Sequence, residues 1–293
     1  MGRDFRLMKF IRISIITFFF SLPILGQAKR QIQTMGEGQE DSLAYTQLVK
    51  QGIEALMEDS LTAAESHFRE AMKLEPSNRS NYLLFRYIGR IQERQEWYKE
   101  ALESYTSGLN LSPKNVELRL DRAALCYRMG DEGKALSDYS DVLDEQPENM
   151  EALLMRAHIY SAMHDYKRAR ADYNAILKID PLNEKGYIGL ILVNDRDGRP
   201  REAMEQINGL IQVYPKHATL YAIRGGMEQK RKQYELALAD LNRAVEMEPK
   251  NPDFYVSRAT LYLDMGKKKL ARQDTQLAVK YGADPKEMAS LLK

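Results

Sequence analysis

Apolar residues recur along the chain with the spacing of an α-helix. An alanine, a bulkier residue four positions later and a small or apolar residue three positions after that form triplets such as Ala64, Phe68 and Ala71. Positions i, i+4 and i+7 lie on one face of a helix. A small residue such as Gly89 or Ala123 stands twelve positions before the alanine in most copies. The pattern therefore predicts pairs of amphipathic helices that approach each other closely at small side chains.

A proline ends each of the first six copies of the pattern. Successive prolines are 37 residues apart once and 34 residues apart thereafter. Because proline lacks an amide hydrogen and clashes with the preceding turn, each one stops a helix at the same point of its copy. A fixed period of this length indicates stacked units that cannot bury their apolar faces alone. The prolines are Pro76, Pro113, Pro147, Pro181, Pro215 and Pro249.

A 34-residue unit with small, Ala, aromatic and Pro positions at these offsets resembles the tetratricopeptide repeat, or TPR. The resemblance implies an all-α fold, namely a right-handed α-solenoid of seven helix–turn–helix units with a short C-terminal capping helix at 286–293. The units together span residues 45–285, and residues 79–81 are an insertion after the first. Their expected ranges are 45–78, 82–115, 116–149, 150–183, 184–217, 218–251 and 252–285.

The first 28 residues have the features of an export signal. A basic start precedes an apolar core at 13–25, and Gly26 and Ala28 place small residues at positions −3 and −1 of a cleavage site. This core is short for a membrane span of about 20 residues. We therefore expect cleavage of residues 1–28, a flexible linker at 29–44, and export to a bacterial periplasm or the extracellular space. The alternative is a membrane anchor at 13–25, and Met1 and Met8 are both candidate start sites.

Composition and motifs favour a binding protein over an enzyme. The formal net charge of +1 predicts no broad basic surface for nucleic acid. The chain has no phosphate-binding loop, serine-hydrolase elbow or zinc-protease motif. Signal, linker and repeats account for nearly the whole length, so no catalytic domain is expected. We predict no enzymatic activity, metal, cofactor or small-molecule substrate; an enzyme hidden within the solenoid is a further hypothesis without sequence support.

In TPR proteins the first helix of each unit lines a concave groove that takes an extended peptide or a partner helix. The resemblance therefore assigns partner binding to residues at the groove positions of several units. One TPR subclass holds chaperone tails with a Lys and Asn pair, but Val49 and Ile53 occupy those places here. The candidate groove residues are Arg86, Arg90, Arg94, Leu120, Tyr127, Arg128, Leu154, His158, Ile188, Arg196 and Lys230.

Three of these arginines, Arg86, Arg90 and Arg94, follow one another at i, i+4 and i+8 on a single predicted helix. Like charges at this spacing repel one another. One hypothesis is an anion or carboxylate site that Arg128 extends into the next unit, because arginine suits two-pronged binding of such groups. The other is that Glu93, Glu117 and Asp121 pair with the arginines, as their positions allow.

A row of apolar residues follows the groove from one unit to the next. The sequence leaves two interpretations open. The row contacts apolar side chains of a ligand, or it forms the partly buried wall that any stack of helices has. The row consists of Leu120, Leu154, Ile188, Ala222 and Val256.

The sequence thus predicts an exported interaction scaffold. The first hypothesis is an adaptor that binds a peptide or helix of one partner protein in the groove. The second is a chaperone-like assembly factor for cell-envelope or export machinery, which would hold many unfolded clients weakly. In both cases the partner is a protein or peptide, and contact with the membrane requires that the N-terminal segment be retained as an anchor.

Overall fold

Fifteen α-helices and no strands make up residues 42–292, which are the residues described by the computed structural model. The expected signal at 1–28, with its apolar core at 13–25, and the linker up to residue 41 lie outside the described residues. None of the described helices has both the length and the apolar character needed to span a membrane. The helices are α1 Leu43–Met57, α2 Leu61–Leu74, α3 Asn81–Arg94, α4 Tyr98–Leu111, α5 Val116–Arg128, α6 Glu132–Glu145, α7 Met150–Ala162, α8 Tyr166–Ile179, α9 Glu184–Arg196, α10 Pro200–Val213, α11 Ala218–Lys230, α12 Tyr234–Met247, α13 Pro252–Asp264, α14 Lys268–Lys280 and α15 Pro285–Leu291.

Consecutive helices pair into hairpins, namely α1 with α2, α3 with α4, α5 with α6, α9 with α10, α11 with α12 and α13 with α14, and α15 follows as a short last helix of the described residues. The chain is thus an α-solenoid of helix–turn–helix repeats, which confirms the predicted fold class. The first residues of two helices differ from the expected ranges. Helix α1 begins at Leu43, inside the expected linker, because the Ser42 side chain accepts a hydrogen bond from the Tyr45 amide and caps the helix there. Helix α15 begins at Pro285, because Asp284 caps it.

The described residues divide into two compact units. The first unit comprises residues 42–163 with 178–181, and the second comprises residues 164–177 with 182–292. Helices α1 to α7 lie in the first unit, and α9 to α15 lie in the second together with most of α8.

In two repeats of the first unit, a glycine of the first helix lies under the large ring of the second helix. The predicted small-residue contact is present at Gly89, where an added Cβ would stand 2.5 Å from the Cε1 atom of Tyr105. Gly52 has the same relation to Phe68, also at 2.5 Å. Both rings are completely buried. Replacing either glycine with a larger residue would force the two helices of the repeat apart.

The second unit has this packing in the sixth repeat, where Gly225 on α11 lies against Leu241 and the backbone of Ala237 on α12. Gly189 on α9 makes a different contact, because it lies against the ring of Tyr173 on α8, the second helix of the preceding repeat. The alanines at the close-contact position are buried throughout the described residues with no exposed surface. They are Ala64, Ala101, Ala135, Ala169, Ala203, Ala237 and Ala271.

The turn between the two helices of every repeat has one residue in the left-handed backbone region. Glycine occupies this position in three repeats, at Gly130, Gly198 and Gly266, and it adopts this conformation without strain. The other four repeats place a residue with a side chain there. These residues are Asp59, Glu96, His164 and Lys232, with φ values of 60°, 63°, 63° and 59° respectively.

A pair of glycine substitutions tests the close approach of the helices. Gly89→Ala should destabilise the protein by roughly 1–3 kcal/mol, because its Cβ would overlap the buried Tyr105 ring. Gly226→Ala is the matched control, since its Cβ would meet no atom within 4 Å. That change should stabilise by about 0.5–1 kcal/mol through helix propensity. Urea unfolding followed by circular dichroism measures both, and equal effects would contradict this packing.

The left-handed turn residues provide a second test of stability. Lys232→Gly should stabilise the protein by about 1 kcal/mol, because Lys232 is exposed and its side chain is strained at positive φ. The reverse change, Gly266→Lys, places a lysine at φ 73° and should destabilise by a similar amount. Thermal unfolding of the two variants measures the difference, and a loss of stability in Lys232→Gly would contradict the strain.

Candidate functional site

In the first unit the first helices of neighbouring repeats meet through side chains on one surface. Arg86 on α3 bonds Asp121 on α5, and the Tyr127 ring on α5 meets the His158 ring on α7 edge-on, with 6.0 Å between the ring centres. This surface, formed by α1, α3, α5 and α7, is called the first-helix face below. It carries the predicted groove residues of the first unit.

Two arginines of α3 converge on a single carboxylate of α5. The Nε atom of Arg86 donates to Oδ2 of Asp121 at 2.6 Å. Arg90 donates to both oxygens of the same carboxylate, from Nε at 3.0 Å and from Nη2 at 2.8 Å. The three side chains are 10%, 22% and 15% exposed, respectively for Arg86, Arg90 and Asp121. These three residues are called the arginine cluster.

Glu93 forms a second polar centre beside the arginine cluster. Its Oε1 atom accepts a 2.5 Å hydrogen bond from the Tyr105 hydroxyl, and its Oε2 atom accepts one of 2.7 Å from Nη2 of Arg128. Burial raises the pKa of Glu93, although Arg128 and Tyr105 favour its charged form. The guanidinium of Arg128 also lies 5.5 Å from the ring centre of Tyr98. Arg128 therefore contacts both an acidic side chain and an aromatic ring.

Arg94 makes a third ion pair at the edge of this surface. Its Nη2 atom lies 2.6 Å from Oδ1 of Asp59, in the turn after α1. Both side chains are substantially exposed, at 47% and 73%. An exposed pair of this kind contributes about 0–1 kcal/mol to stability.

The hypothesis that acidic residues pair with the groove arginines is confirmed for two of its three residues. Asp121 and Glu93 make the expected ion pairs. Glu117 makes no ion pair with an arginine in the part of the chain that the structure describes, and Asp59 is an additional acidic partner that the sequence did not suggest. Asp59 was missed because it comes from the inter-helix turn of the preceding repeat. The predicted anion site therefore already contains carboxylates of the protein itself.

Apolar groove positions are mostly half-buried in both units. In the first unit, Leu120 and Leu154 are half-buried, and Tyr127 is buried at 3% exposure. In the second unit, Ile188 is half-buried and Val256 is buried at 5% exposure. Their burial leaves limited side-chain area exposed to a ligand.

The second unit has its own charged group on its first helices. Asp195 on α9 is 6% exposed and bonds Nζ of Lys230 at 3.0 Å. The same carboxylate accepts a 3.1 Å hydrogen bond from Arg231, which also donates to the carbonyls of Met227 and Pro200. The last predicted groove residue, Arg196, is half-buried near the end of α9.

Comparison with known proteins identifies the family. Models of the tetratricopeptide repeat match residues 151–181 and 228–287. The crystal structure of a tetratricopeptide repeat protein from Parabacteroides merdae is 30% identical in sequence, with a TM-score of 0.77. That match covers 86% of this chain and 98% of the other. The chain belongs to the tetratricopeptide repeat family.

More distant TPR structures share the fold. A thermophilic TPR protein from Thermus thermophilus is 21% identical, with a TM-score of 0.53 over 61% of this chain and 97% of the other. The MamA protein is 15% identical, with a TM-score of 0.53 over 66% of this chain and 96% of the other. Among curated proteins, none matches the sequence.

Membership of the TPR family indicates a protein–protein interaction scaffold, because TPR proteins bind protein or peptide partners. The fold is typically not enzymatic. Within residues 42–292 no group of three or more His, Cys, Asp and Glu side chains is arranged to hold a metal ion. Cys126 is buried at 1% exposure, and burial raises the pKa of its thiol to about 11.

A polar link inside the TPR repeats was missed by the sequence analysis. Arg122 on α5 bonds both oxygens of Asp138 on α6, and Arg258 on α13 bonds Asp274 on α14 in the same way. The same arginine also reaches a polar side chain one repeat earlier, as Arg258 does with Asn242 at 2.8 Å. The signal was present as arginine and aspartate 16 positions apart in several repeats, but the apolar pattern concealed it. This link joins both helices of one repeat to the previous repeat.

The sixth repeat adds a buried acid to this link. Glu228 on α11 is 8% exposed, and its Oε2 atom has no hydrogen-bond partner in the described structure. Burial and the nearby charge of Asp240 raise the pKa of Glu228 to about 7, whereas Arg224 and Arg231 oppose the shift. Because the folded state holds this proton more tightly than the unfolded chain does, the stability contributed by the group falls as pH rises from about 4.5 to 7.

Glu228→Gln should remove this pH dependence. The variant should melt several degrees higher than the original protein at pH 8 and show a smaller difference at pH 4.5, since glutamine carries no charge to bury. Thermal unfolding at both pH values measures this difference. Glu246→Gln on the exposed side of α12 is the control and should leave the profile unchanged. An unchanged profile for Glu228→Gln would show that Glu228 is not the titrating group.

Proposed function

We propose that this TPR protein is an exported adaptor that binds an extended peptide or a helix of one partner protein on its first-helix face. The observation that carries the proposal is the arginine cluster of Arg86, Arg90 and Asp121. It places two oriented cationic side chains on the same face as half-buried apolar positions, of which Leu120 directly precedes Asp121. A surface of fixed charges and limited apolar area favours a defined ligand.

The same surface favours an adaptor over a chaperone-like assembly factor. A protein that holds many unfolded clients needs a broad apolar surface that can repack around them. Among the candidate groove residues, the large apolar and aromatic side chains Leu120, Tyr127, Leu154 and Ile188 are all half-buried or buried. The charged groups are instead fixed by ion pairs between α3 and α5. We therefore assign one or a few partners to this face.

Export is supported by the N-terminal sequence. A basic start, a 13-residue apolar core and the small residues Gly26 and Ala28 are the features of a cleaved secretory signal. An adaptor with this leader would act in a bacterial periplasm or outside the cell. Retention of residues 13–25 would instead anchor the same repeats at the membrane.

Site-specific photo-crosslinking tests the assigned face. A photoreactive amino acid at Leu154 on α7, in the full-length protein produced in its own host, should give one or a few discrete crosslinked products. The same group at Glu103, on the exposed side of second helix α4, is the matched control and should give none of them. Fractionation of the same cells should recover a protein shortened by residues 1–28 outside the cytoplasm.

Three results would count against parts of this proposal. A continuous smear of products from Leu154 indicates many clients and supports the chaperone alternative. Identical products from Leu154 and Glu103 place the interface elsewhere on the molecule. Full-length protein in the cytoplasmic fraction contradicts export but leaves the binding face unaffected.

A further inference from the structure

We propose that the inter-helix turns of the sixth and seventh repeats form a docking surface for an anionic lipid membrane. This surface consists of residues 229–236 and 264–272 and is called the basic turn edge. It belongs to the second unit, whereas the first-helix face belongs to the first, and the inference does not rest on the proposed function. It is carried by the contact between the two turns, by their cations without partners, and by two exposed leucines.

Side-chain contacts bring the turns of the sixth and seventh repeats next to each other. The Nε2 atom of Gln229, near the end of α11, donates to Oδ2 of Asp264, at the end of α13, over 2.7 Å. Tyr234, which begins α12, and Met265, in the turn before α14, pack against the same apolar cluster. The two turns therefore lie together on one edge of the second unit.

Cations outnumber acids on the basic turn edge. Its first segment carries three cations and one acid, and its second segment carries four cations and one acid. Two further acids act on this edge from outside the segments. Asp195 bonds both Lys230 and Arg231, and buried Glu228 feels the charge of Arg231. The cations are still in excess when both of these acids are counted.

Five of the cations are exposed, and none of the five forms an ion pair within residues 42–292. The aspartates inside the same two repeats, Asp240 and Asp274, are bound by Arg224 and Arg258. Four of the five cations are lysines, whose ammonium group is a flexible point charge that suits a diffuse negative surface better than a planar, two-pronged ligand. The five are Lys232, Lys267, Lys268, Lys269 and Arg272.

Two exposed leucines accompany these cations. Leu236 on α12 is 55% exposed and Leu270 on α14 is 39% exposed. Each leucine directly precedes the buried alanine of its second helix. A large apolar residue stands at this position only in the two repeats of the basic turn edge. The other repeats have Ala63, Glu100, Lys134, Arg168 and Glu202 there.

Lysines and exposed leucines together indicate a lipid surface. An anionic membrane attracts each basic side chain near it, and a leucine is stabilised where it leaves water for the boundary between headgroups and acyl chains. The phosphate backbone of a nucleic acid would bind the cations but would leave the leucines in water. Membrane contact through this edge would not need residues 13–25 as an anchor.

Co-sedimentation with lipid vesicles tests the proposal, with the chain as its own host produces it. The protein should bind phosphatidylcholine vesicles that contain about 30% phosphatidylglycerol, and should not bind pure phosphatidylcholine. Raising the salt from about 0.05 M to about 0.5 M should release it, because salt screens the attraction. The triple variant Lys267→Gln, Lys268→Gln, Lys269→Gln should lower the vesicle partition coefficient at least about tenfold.

A second triple variant is the matched control for charge. Lys99→Gln, Lys134→Gln and Lys167→Gln together remove the same charge from exposed positions at the start of the second helices α4, α6 and α8. This variant should change the partition coefficient less than about twofold, because attraction to the membrane surface falls off within a Debye length.

A pair of double variants tests the leucines. Leu236→Gln with Leu270→Gln should lower the partition coefficient by about five- to tenfold, because both side chains would lose apolar contact with the lipid. Leu74→Gln with Leu111→Gln is the control and should have no effect, since these exposed leucines lie at the ends of α2 and α4. Circular dichroism verifies that every variant is folded.

Each contrary outcome identifies a different error. Absence of binding to the anionic vesicles at low salt would overturn the proposal. Equal losses in the two lysine variants would show general charge attraction and would also overturn it. Full vesicle binding by the double variant at Leu236 and Leu270 would exclude insertion into lipid and would assign the edge to an acidic protein or a nucleic acid. Binding that survives high salt unchanged in every variant would come from the N-terminal segment instead of this edge. None of these results alters the crosslinks expected at Leu154, so the adaptor function is tested separately.

Discussion

The contact on which the rest of the structure depends is the close approach of the two helices in each repeat. In three repeats a glycine on the first helix lies under a large buried side chain of the second, as Gly89 lies under Tyr105. A Cβ at that glycine would overlap the ring, so the sequence allows little else at this position. Because each hairpin is fixed in this way, the first helices of adjacent repeats can present their side chains on a common surface.

Polar side chains then join one hairpin to the next. The arginine of a first helix binds the aspartate of its own second helix and a polar group of the previous repeat, as Arg258 binds Asp274 and Asn242. Breaking a largely buried ion pair of this kind leaves an uncompensated charge, which costs more than the pair itself contributes. These links therefore specify how neighbouring repeats sit against each other more than they add to total stability.

The first-helix face of residues 42–163 uses similar chemistry for a different result. Arg86 and Arg90 share one aspartate, so a single carboxylate orients two guanidinium groups there. Glu93, by contrast, is satisfied by Tyr105 and Arg128 and is 5% exposed. The two ion-paired centres on adjacent turns thus differ in stoichiometry and in hydrogen bonding. In the first, two arginines share one carboxylate; in the second, one arginine and one tyrosine hydroxyl bind one carboxylate.

The sequence alone determined the repeat, its period, the helix pairs and the small residues at their contact, because these follow from local periodicity and from proline chemistry. It also indicated which first-helix residues share a face. It did not decide whether Arg86, Arg90 and Arg94 would be paired with acids of the protein, because the partners Asp121 and Asp59 lie 31 to 35 residues away. Only the stacking of one repeat on the next brings those carboxylates within hydrogen-bond distance. The tertiary structure therefore decided the charge balance of the face, since ion pairing depends on distances that periodicity does not specify.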